Sequence, residues 1–194
     1  VTAIELLENN LEVLKGKAQG LDHLQAFQGD ALDLSRWEDE TFDLTLVLGP
    51  MYHLYEKEQV HKAIDEAIRV TKKNGVIFFA FLSVYAILFN NYLKENLQDG
   101  IEENFTDTYE IRHFEEQLFT GYDIVEFEEL FAGKDIEYMS TVATDTILEL
   151  ARKRTDFVMF DEDFEAFAKY HLAFCEKREL LGASSHLLYI CKRK

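Results

Sequence analysis

Tyr52 and His53 stand side by side just past an apolar run, Phe-Asp-Leu-Thr-Leu-Val-Leu at 42–48, which Gly49 and the chain's single proline, Pro50, bring to a stop. A phenol and an imidazole at that place can orient an acceptor group or take its proton, since imidazole changes charge near neutral pH. Gly49 ahead of them lets a ligand come close to the backbone. Two carboxylates hold comparable positions: Glu5 follows the apolar residues 1–4, and Asp30 follows the run 24–28. A carboxylate accepts more than one hydrogen bond at once, which suits a ligand rich in hydroxyl and amino groups. Arg112, His113 and His186 are polar residues near expected element ends that could face a cleft, and Tyr109 belongs to an aromatic-rich stretch beside them. Each has a plainer reading. His53 equally fits a residue that caps the next helix or bonds a backbone carbonyl, Glu5 an exposed acid in a helix's first turn, and Asp30 one half of a Gly-Asp turn.

Metal chemistry is not suggested. The six histidines include no H-E-x-x-H pair, and the acid nearest after the 42–48 run is Glu56, whereas a hard cation wants several oxygen ligands together. The two cysteines, Cys175 and Cys191, have no C-x-x-C spacing, so neither a zinc site nor a disulfide framework is expected and a reducing cytoplasm is the simplest compartment.

These residues need elements to position them. Residues 1–4 read as a strand, and Leu7, Leu11, Leu14 and Ala18 recur at helical spacing until Gly20. Residues 24–28 read as a strand, 42–48 as a strand buried on both faces, and 58–73 as an amphipathic helix closed by Lys72-Lys73-Asn74-Gly75, with a further central strand at 76–82. Such alternation argues for a parallel sheet with helices on both faces. Beyond Ser83 the pattern loosens: a helix over 84–97, a loop over 98–108, a short helix at 114–119, a strand at 123–131, a mostly helical stretch over 134–181 and a last strand at 186–191.

Composition sets outer bounds. A chain of 194 residues with 47% hydrophobic content supports one domain, here 1–194, with 84–110 and 135–180 as helical lid or insertion segments within it. A formal net charge of −17 would repel phosphate backbones and anionic lipid heads, so neither nucleic acid nor a membrane surface is an expected partner. No stretch reaches the roughly 18 apolar residues of a membrane span, and no basic-plus-apolar leader is visible, so a soluble protein is expected. A homodimer stays open.

Taken in order, the residues carry a resemblance. Val1-Thr2-Ala3-Ile4-Glu5 before a helix, Gly29-Asp30-Ala31 closing a strand, Phe42-Asp43-Leu44 opening one that ends in Leu48-Gly49-Pro50-Met51-Tyr52-His53-Leu54, and Ala67 to Gly75 before another strand together resemble class I S-adenosylmethionine-dependent methyltransferases. With the tail Leu180-Leu181-Gly182-Ala183-Ser184-Ser185-His186, they are similar to a bacterial subgroup of unknown substrate. The resemblance covers nearly the whole chain. It implies an α/β, Rossmann-like methyltransferase sheet, mostly parallel with an antiparallel last strand, and S-adenosylmethionine as cofactor. It also implies that Glu5 accepts from the ribose hydroxyls, that Asp30 and the Ala31 amide meet the adenine, that Leu6 and Leu32 flank the ring, and that Leu48 and Gly49 lie along the methyl donor. Tyr52 and His53 would be catalytic, His53 the likelier base of the two, while Tyr109, Arg112, His113 and His186 would meet a small-molecule substrate.

The chain departs from better-known branches. Enzymes that methylate adenine or glutamine nitrogen place Asn or Asp, Pro, Pro and an aromatic residue after this strand, where Leu48-Gly49-Pro50-Met51-Tyr52 stands here. The resemblance further implies that the family's first strand and glycine-rich loop are absent from this chain, which begins at the second strand, and that the stretch on its own holds the cofactor too weakly to measure. Two rivals remain: a methyltransferase-like interaction module that has lost the cofactor site, and a nucleotide-sugar or nicotinamide enzyme of the same general fold. An antiparallel last strand would tell against the second of these.

Overall fold

The computed structural model describes residues 1–152 and 154–194. Strand β1 (Thr2–Glu5) leads into helix α1 (Glu8–Lys17) and returns as β2 (Gln25–Gln28), which pairs with β1 in parallel and sets Glu5 opposite Gln28. The second sheet begins with β3 (Phe42–Val47). Helix α2 (Lys57–Val70) then carries the chain back to β4 (Thr71–Leu82), parallel to β3. Val60, Ala63, Ile64, Ala67 and Ile68 recur every three or four residues along α2, and that stripe is the face it buries. Arg69, at the end of α2, donates to the Trp37 carbonyl at 2.9 Å and pairs with Asp39 and Glu66, tying the β2–β3 connection to the helix.

After β4 come α3 (Val84–Asn91), α4 (Leu97–Asn104), α5 (Ile124–Glu129), β5 (Ile136–Ala143), α6 (Leu148–Arg152), α7 (Asp161–Phe174), α8 (Arg178–Leu181) and β6 (His186–Arg193). The strand order is β3-β4-β6-β5, with β6 antiparallel to both neighbours. β5 therefore runs with β3 and β4. The carboxyl ends of those three strands and the amino end of β6 share one edge of the sheet. The mostly parallel α/β sheet and its antiparallel last strand are as the sequence implies.

Several elements differ from the sequence reading. The strand expected at 123–131 is helix α5, whose N-cap Asp123 accepts the Glu126 amide at 2.7 Å. Phe127, Leu130 and Phe131 are buried, a spacing of three and four that puts them on one helical face. The strand itself lies at 136–143, so the segment 135–180 opens with sheet rather than helix. A register shift between Tyr138 and Ser140 breaks the alternation there and hides the strand from a period-two reading. Helix α3 stops at Asn91, α4 occupies the stretch read as a loop, and 114–119 forms turns in place of a helix.

Helix α2 passes into β4 at Thr71 with no Asn-Gly cap. Asn74, at φ +64°, and Gly75 instead form an irregularity inside the strand, opposite the register shift between Phe42 and Leu44. Space enforces the glycine, since a Cβ there would sit 2.6 Å from Thr71 Cγ2. β3 is not buried on both faces: Leu44 and Leu46 are 52% and 55% exposed, because β3 is an end strand among the described residues and nothing covers that face.

The core is aromatic where α5 meets the sheet. Phe127 stacks on Phe81 of β4 at 3.9 Å and 8°, and Phe131 on Tyr189 of β6 at 4.0 Å and 9°. Phe127 is fully buried. Phe127→Ala should cost about 3–5 kcal/mol, read as a lowered midpoint in urea unfolding; a loss below about 1 kcal/mol would show that α5 does not hold the seam.

Candidate active site

Two groups of residues meet at the strand ends. At the tips of β1 and β2, the Gly29 amide donates to the Glu5 carbonyl at 3.1 Å, so Glu5 and the Asp30 turn are brought together. Glu5 Oε1 accepts the Leu7 amide at 3.0 Å and lies 3.5 Å from Asn10 Nδ2; Asp30 Oδ1 accepts the Leu32 amide at 2.9 Å. Among the described residues no donor reaches Glu5 Oε2 or Asp30 Oδ2. Leu6, beside Glu5, is 58% exposed, while Ala31 and Leu32 are partly buried against the core. Two open acceptor oxygens next to an exposed leucine can take a ligand that brings hydroxyl or amino groups beside an apolar face.

The second group lies along the shared edge. Leu48 and Gly49 follow β3, and a 3-10 turn (Pro50–Tyr52) comes next, its Met51 side chain buried. An added Cβ on Gly49 would meet nothing within 4 Å, so this backbone is open to a ligand. The Tyr52 hydroxyl donates to the Leu48 carbonyl at 2.6 Å, and burial raises its proton affinity, so the phenol is a wall more than a base. His53 packs against Tyr52 (5.0 Å between ring centroids) and Phe119 (5.1 Å). No side-chain hydrogen bond reaches its imidazole among the described residues, and burial lowers its proton affinity.

His186, at the amino end of β6, faces Tyr52 edge-on at 6.5 Å. Its Nδ1 lies 2.7 Å from Asp145 Oδ2, just past β5. Asp145 Oδ1 in turn accepts from Ser184 Oγ at 2.6 Å and the amides of Ser185 and His186 at 2.9 and 3.3 Å. Burial raises the Asp145 carboxyl, but the hydrogen bonds from His186 and Ser184 outweigh it and hold the group below the ordinary aspartate value. The hydrogen bond to Asp145 raises His186 above the ordinary histidine value, against the opposing effect of burial. Donor atoms of Asp145, Glu149 and His186 lie within 4.8 Å of one another. Both Asp145 oxygens are already filled, however, and Glu149 Oε2 accepts from Asn90, so this is an ion-paired network rather than an open ligand set.

The remaining sequence candidates sit apart. His113 has both nitrogens engaged, with Thr120 and with Glu126. Arg112 donates to the Glu102 carbonyl at 2.7 Å and lies over Phe114, and Tyr109 is exposed on a groove of about 620 Å³ with Leu97, Ile101 and Phe105. That groove contains neither His53 nor His186. Asp145, Ser184 and Phe119 were not among the site residues the sequence suggested. The Thr-Asp-Thr triplet at 144–146 would have flagged Asp145 only once β5 was known to end at Ala143.

The chain has the fold of class I S-adenosylmethionine-dependent methyltransferases, and S-adenosylmethionine is the cofactor of that class. Residues 1–79 match the family described as a methyltransferase domain. No curated protein matches by sequence. Among solved structures, an S-adenosylmethionine-dependent methyltransferase of Methanosarcina mazei superposes with a TM-score of 0.60 at 13% identity, covering 100% of this chain and 81% of that one. A Thermotoga maritima methyltransferase, described as a possible histamine N-methyltransferase, gives 0.59 at 15%, covering 98% and 72%. A geranyl diphosphate methyltransferase in complex with S-adenosylmethionine gives 0.57 at 15%, covering 100% and 68%. Among the described residues no helix is long and apolar enough to cross a membrane.

The Asp145–His186 pair makes stability depend on pH. The raised His186 value adds stability that is complete below about pH 6.5, the ordinary histidine value, and is lost as pH rises through the raised one. The lowered Asp145 value adds stability above the ordinary aspartate range, lost as pH falls through the lowered one. Urea midpoints across pH should show both slopes in the native protein and shallower ones in Asp145→Asn, where other shifted carboxylates such as Glu66 still contribute. Equal slopes in the two proteins would refute the coupling.

Proposed function

We propose that the protein transfers a methyl group from S-adenosylmethionine to a small-molecule acceptor in the cytoplasm. The observation that carries this reading is the pairing of β1 with β2, which brings Glu5 and the turn that holds Asp30 to neighbouring strand tips, each acid with an uncommitted carboxylate oxygen. In this reading Glu5 accepts from the ribose hydroxyls, Asp30 and the Ala31 amide hold the adenine edge, Leu6 and Leu32 flank the ring, and Leu48 and Gly49 border the donor. Bound there, S-adenosylmethionine supplies an electrophilic methyl group on a cationic sulfonium. The acidic residues near it and the net charge of −17 favour a cationic ligand. Methyl transfer needs the two reactants collinear and dry, which is chiefly a positioning task.

Tyr52, His53 and His186 then surround the acceptor, and Tyr109 and Arg112, on the α4 side, would meet only its outer end. His113, with both nitrogens engaged, serves as support behind it. The segment 84–110 and the helices that follow β5 within 135–180 act as cover. The free thiols of Cys175 and Cys191 accord with a reducing compartment. A second reading, an interaction module without catalysis, has one observation in its favour: α7 buries none of its residues, and Phe160, Phe164 and Leu172 around it are exposed.

Calorimetry on the protein in the full length its gene encodes, as distinct from the stretch 1–194 on its own, should detect S-adenosylmethionine binding, weakened about ten- to hundredfold by Glu5→Gln and less by Asp30→Asn. Transfer of a labelled methyl group to a small acceptor would exclude the interaction module. Binding that neither substitution alters would sink the cofactor assignment.

A further inference from the structure

We propose that His186 is the general base of this site and Asp145 its positioning residue, so that the acceptor is a hydroxyl compound, a phenol or an alcohol, that must lose its proton as it is methylated. The inference rests on the methyl-transfer reading above and adds the acceptor's chemical class to it.

The geometry gives the imidazole a defined tautomer. An ionised carboxylate can only accept, so the 2.7 Å contact with Asp145 Oδ2 places the hydrogen on His186 Nδ1 and leaves the lone pair on Nε2. Asp145 cannot swing away, because Ser184 Oγ and two backbone amides hold its other oxygen and Ser184 is itself buried. The base thus stands between the carboxyl ends of β4 and β5. Its side chain is 46% exposed, and no hydrogen bond occupies Nε2 among the described residues. The titratable groups around it are Asp145 past β5, Glu149 on α6 and Tyr52 on the 3-10 turn, with His53 behind Tyr52. The two carboxylates strengthen the imidazole as a base, the Asp145 hydrogen bond most. His53 has no such partner and its burial weakens it, so the role expected of it passes to His186.

A base decides the acceptor class. A neutral amine already carries the electron pair that attacks and sheds its proton afterwards, and a thiol is partly ionised near neutral pH. A neutral hydroxyl oxygen is a poor nucleophile until its proton leaves. In the step proposed, the acceptor's O–H proton goes to Nε2 as an oxygen pair forms the new bond to the methyl carbon. The bond from that carbon to sulfur breaks, its pair stays on sulfur, and a neutral thioether departs. The imidazolium, stabilised by Asp145, returns its proton to water.

Two measurements test this on the intact protein. In the first, without donor or acceptor, diethyl pyrocarbonate and mass spectrometry follow acylation of His186 from about pH 5 to about pH 9. The midpoint should lie above that of an ordinary histidine and fall in Asp145→Asn, which removes the carboxylate that raises it. A His186 inert across that range, or one protected by micromolar zinc alone, overturns the proposal. In the second, labelled methyl transfer is measured to a panel of simple phenols and alcohols and to matched anilines and amines. His186→Gln should slow transfer to hydroxyl acceptors about 10²- to 10⁴-fold with S-adenosylmethionine affinity unchanged. Asp145→Asn should move the acidic limb of the rate profile to lower pH. Transfer to amines only, to none of the panel, or to phenols undiminished in His186→Gln overturns the assignment while leaving the cofactor reading intact. Absence of S-adenosylmethionine binding overturns the parent reading, and the acylation profile still reports on the pair.

Discussion

The site depends on one strand running backwards. β6 lies between β4 and β5 and is antiparallel to both, so its amino end meets the carboxyl ends of the strands around it. Were β6 parallel, Ser184 to His186 would emerge at the opposite edge, away from Gly49 to His53. The register is enforced from within: Leu187, Tyr189 and Cys191 alternate into the core, with Leu187 opposite both Phe81 and Ala143. A slip of one residue would expose that apolar set and turn His186 to the other face of the sheet. The packing that fixes β6 also fixes the orientation of the imidazole.

Behind this edge the aromatic stacks do more than fill space. α5 lays Phe127 on β4 and Phe131 on β6, so one short helix clamps the seam between the two strands. The chain ahead of α5 is stitched to the sheet as well, since the Tyr122 amide donates to the Leu82 carbonyl at 2.9 Å and the Val84 amide to the Tyr122 carbonyl at 3.1 Å. Two residues earlier the Thr120 amide donates to the Tyr52 carbonyl at 3.1 Å. That bond brings Phe119 against Tyr52 and His53. A segment with no helix or strand of its own thereby packs a ring against Tyr52 and His53.

What could be read from the sequence follows from how local each signal is. The strand–helix alternation through Leu82 was legible because α2 carries a regular stripe and β3 and β4 are apolar and end in Gly-Pro and Ser. The acids at the tips of β1 and β2 and the Tyr-His pair past β3 were legible for the same reason: a residue just beyond a strand lies at the sheet edge whatever surrounds it. Beyond Ser83 local signals conflict. The Ile-Val-Glu-Phe run at 124–127 looks like a strand until the Asp123 cap and the burial of Leu130 and Phe131 are taken together, and the irregular register of β5 conceals its period. The burial of β3 was misjudged because composition shows which residues are apolar, while exposure depends on which strands lie beside them. Asp145 is the clearest case: its meaning lies in His186, 41 residues further on, and no local pattern links the two.

Uncommitted valence separates the polar groups that hold the fold from those that can meet a ligand. His113 has a partner on each nitrogen, the Tyr52 hydroxyl is spent on Leu48, and Asp145 has both oxygens filled. These groups are fixed, and removing any one leaves its partners unsatisfied. Glu5 and Asp30 instead each use one oxygen to shape their own turn, which orients the carboxylate and leaves the other oxygen facing outward. His186 is built alike, with Nδ1 anchored and Nε2 open. A half-satisfied group of this kind is costly when buried and useful at an edge, where water occupies the open position until a ligand replaces it. These three half-satisfied groups stand at or just past strand tips, where the chain has sheet neighbours on one side only, and the saturated Tyr52 and Asp145 at the same edge hold in place the surface from which His186 projects.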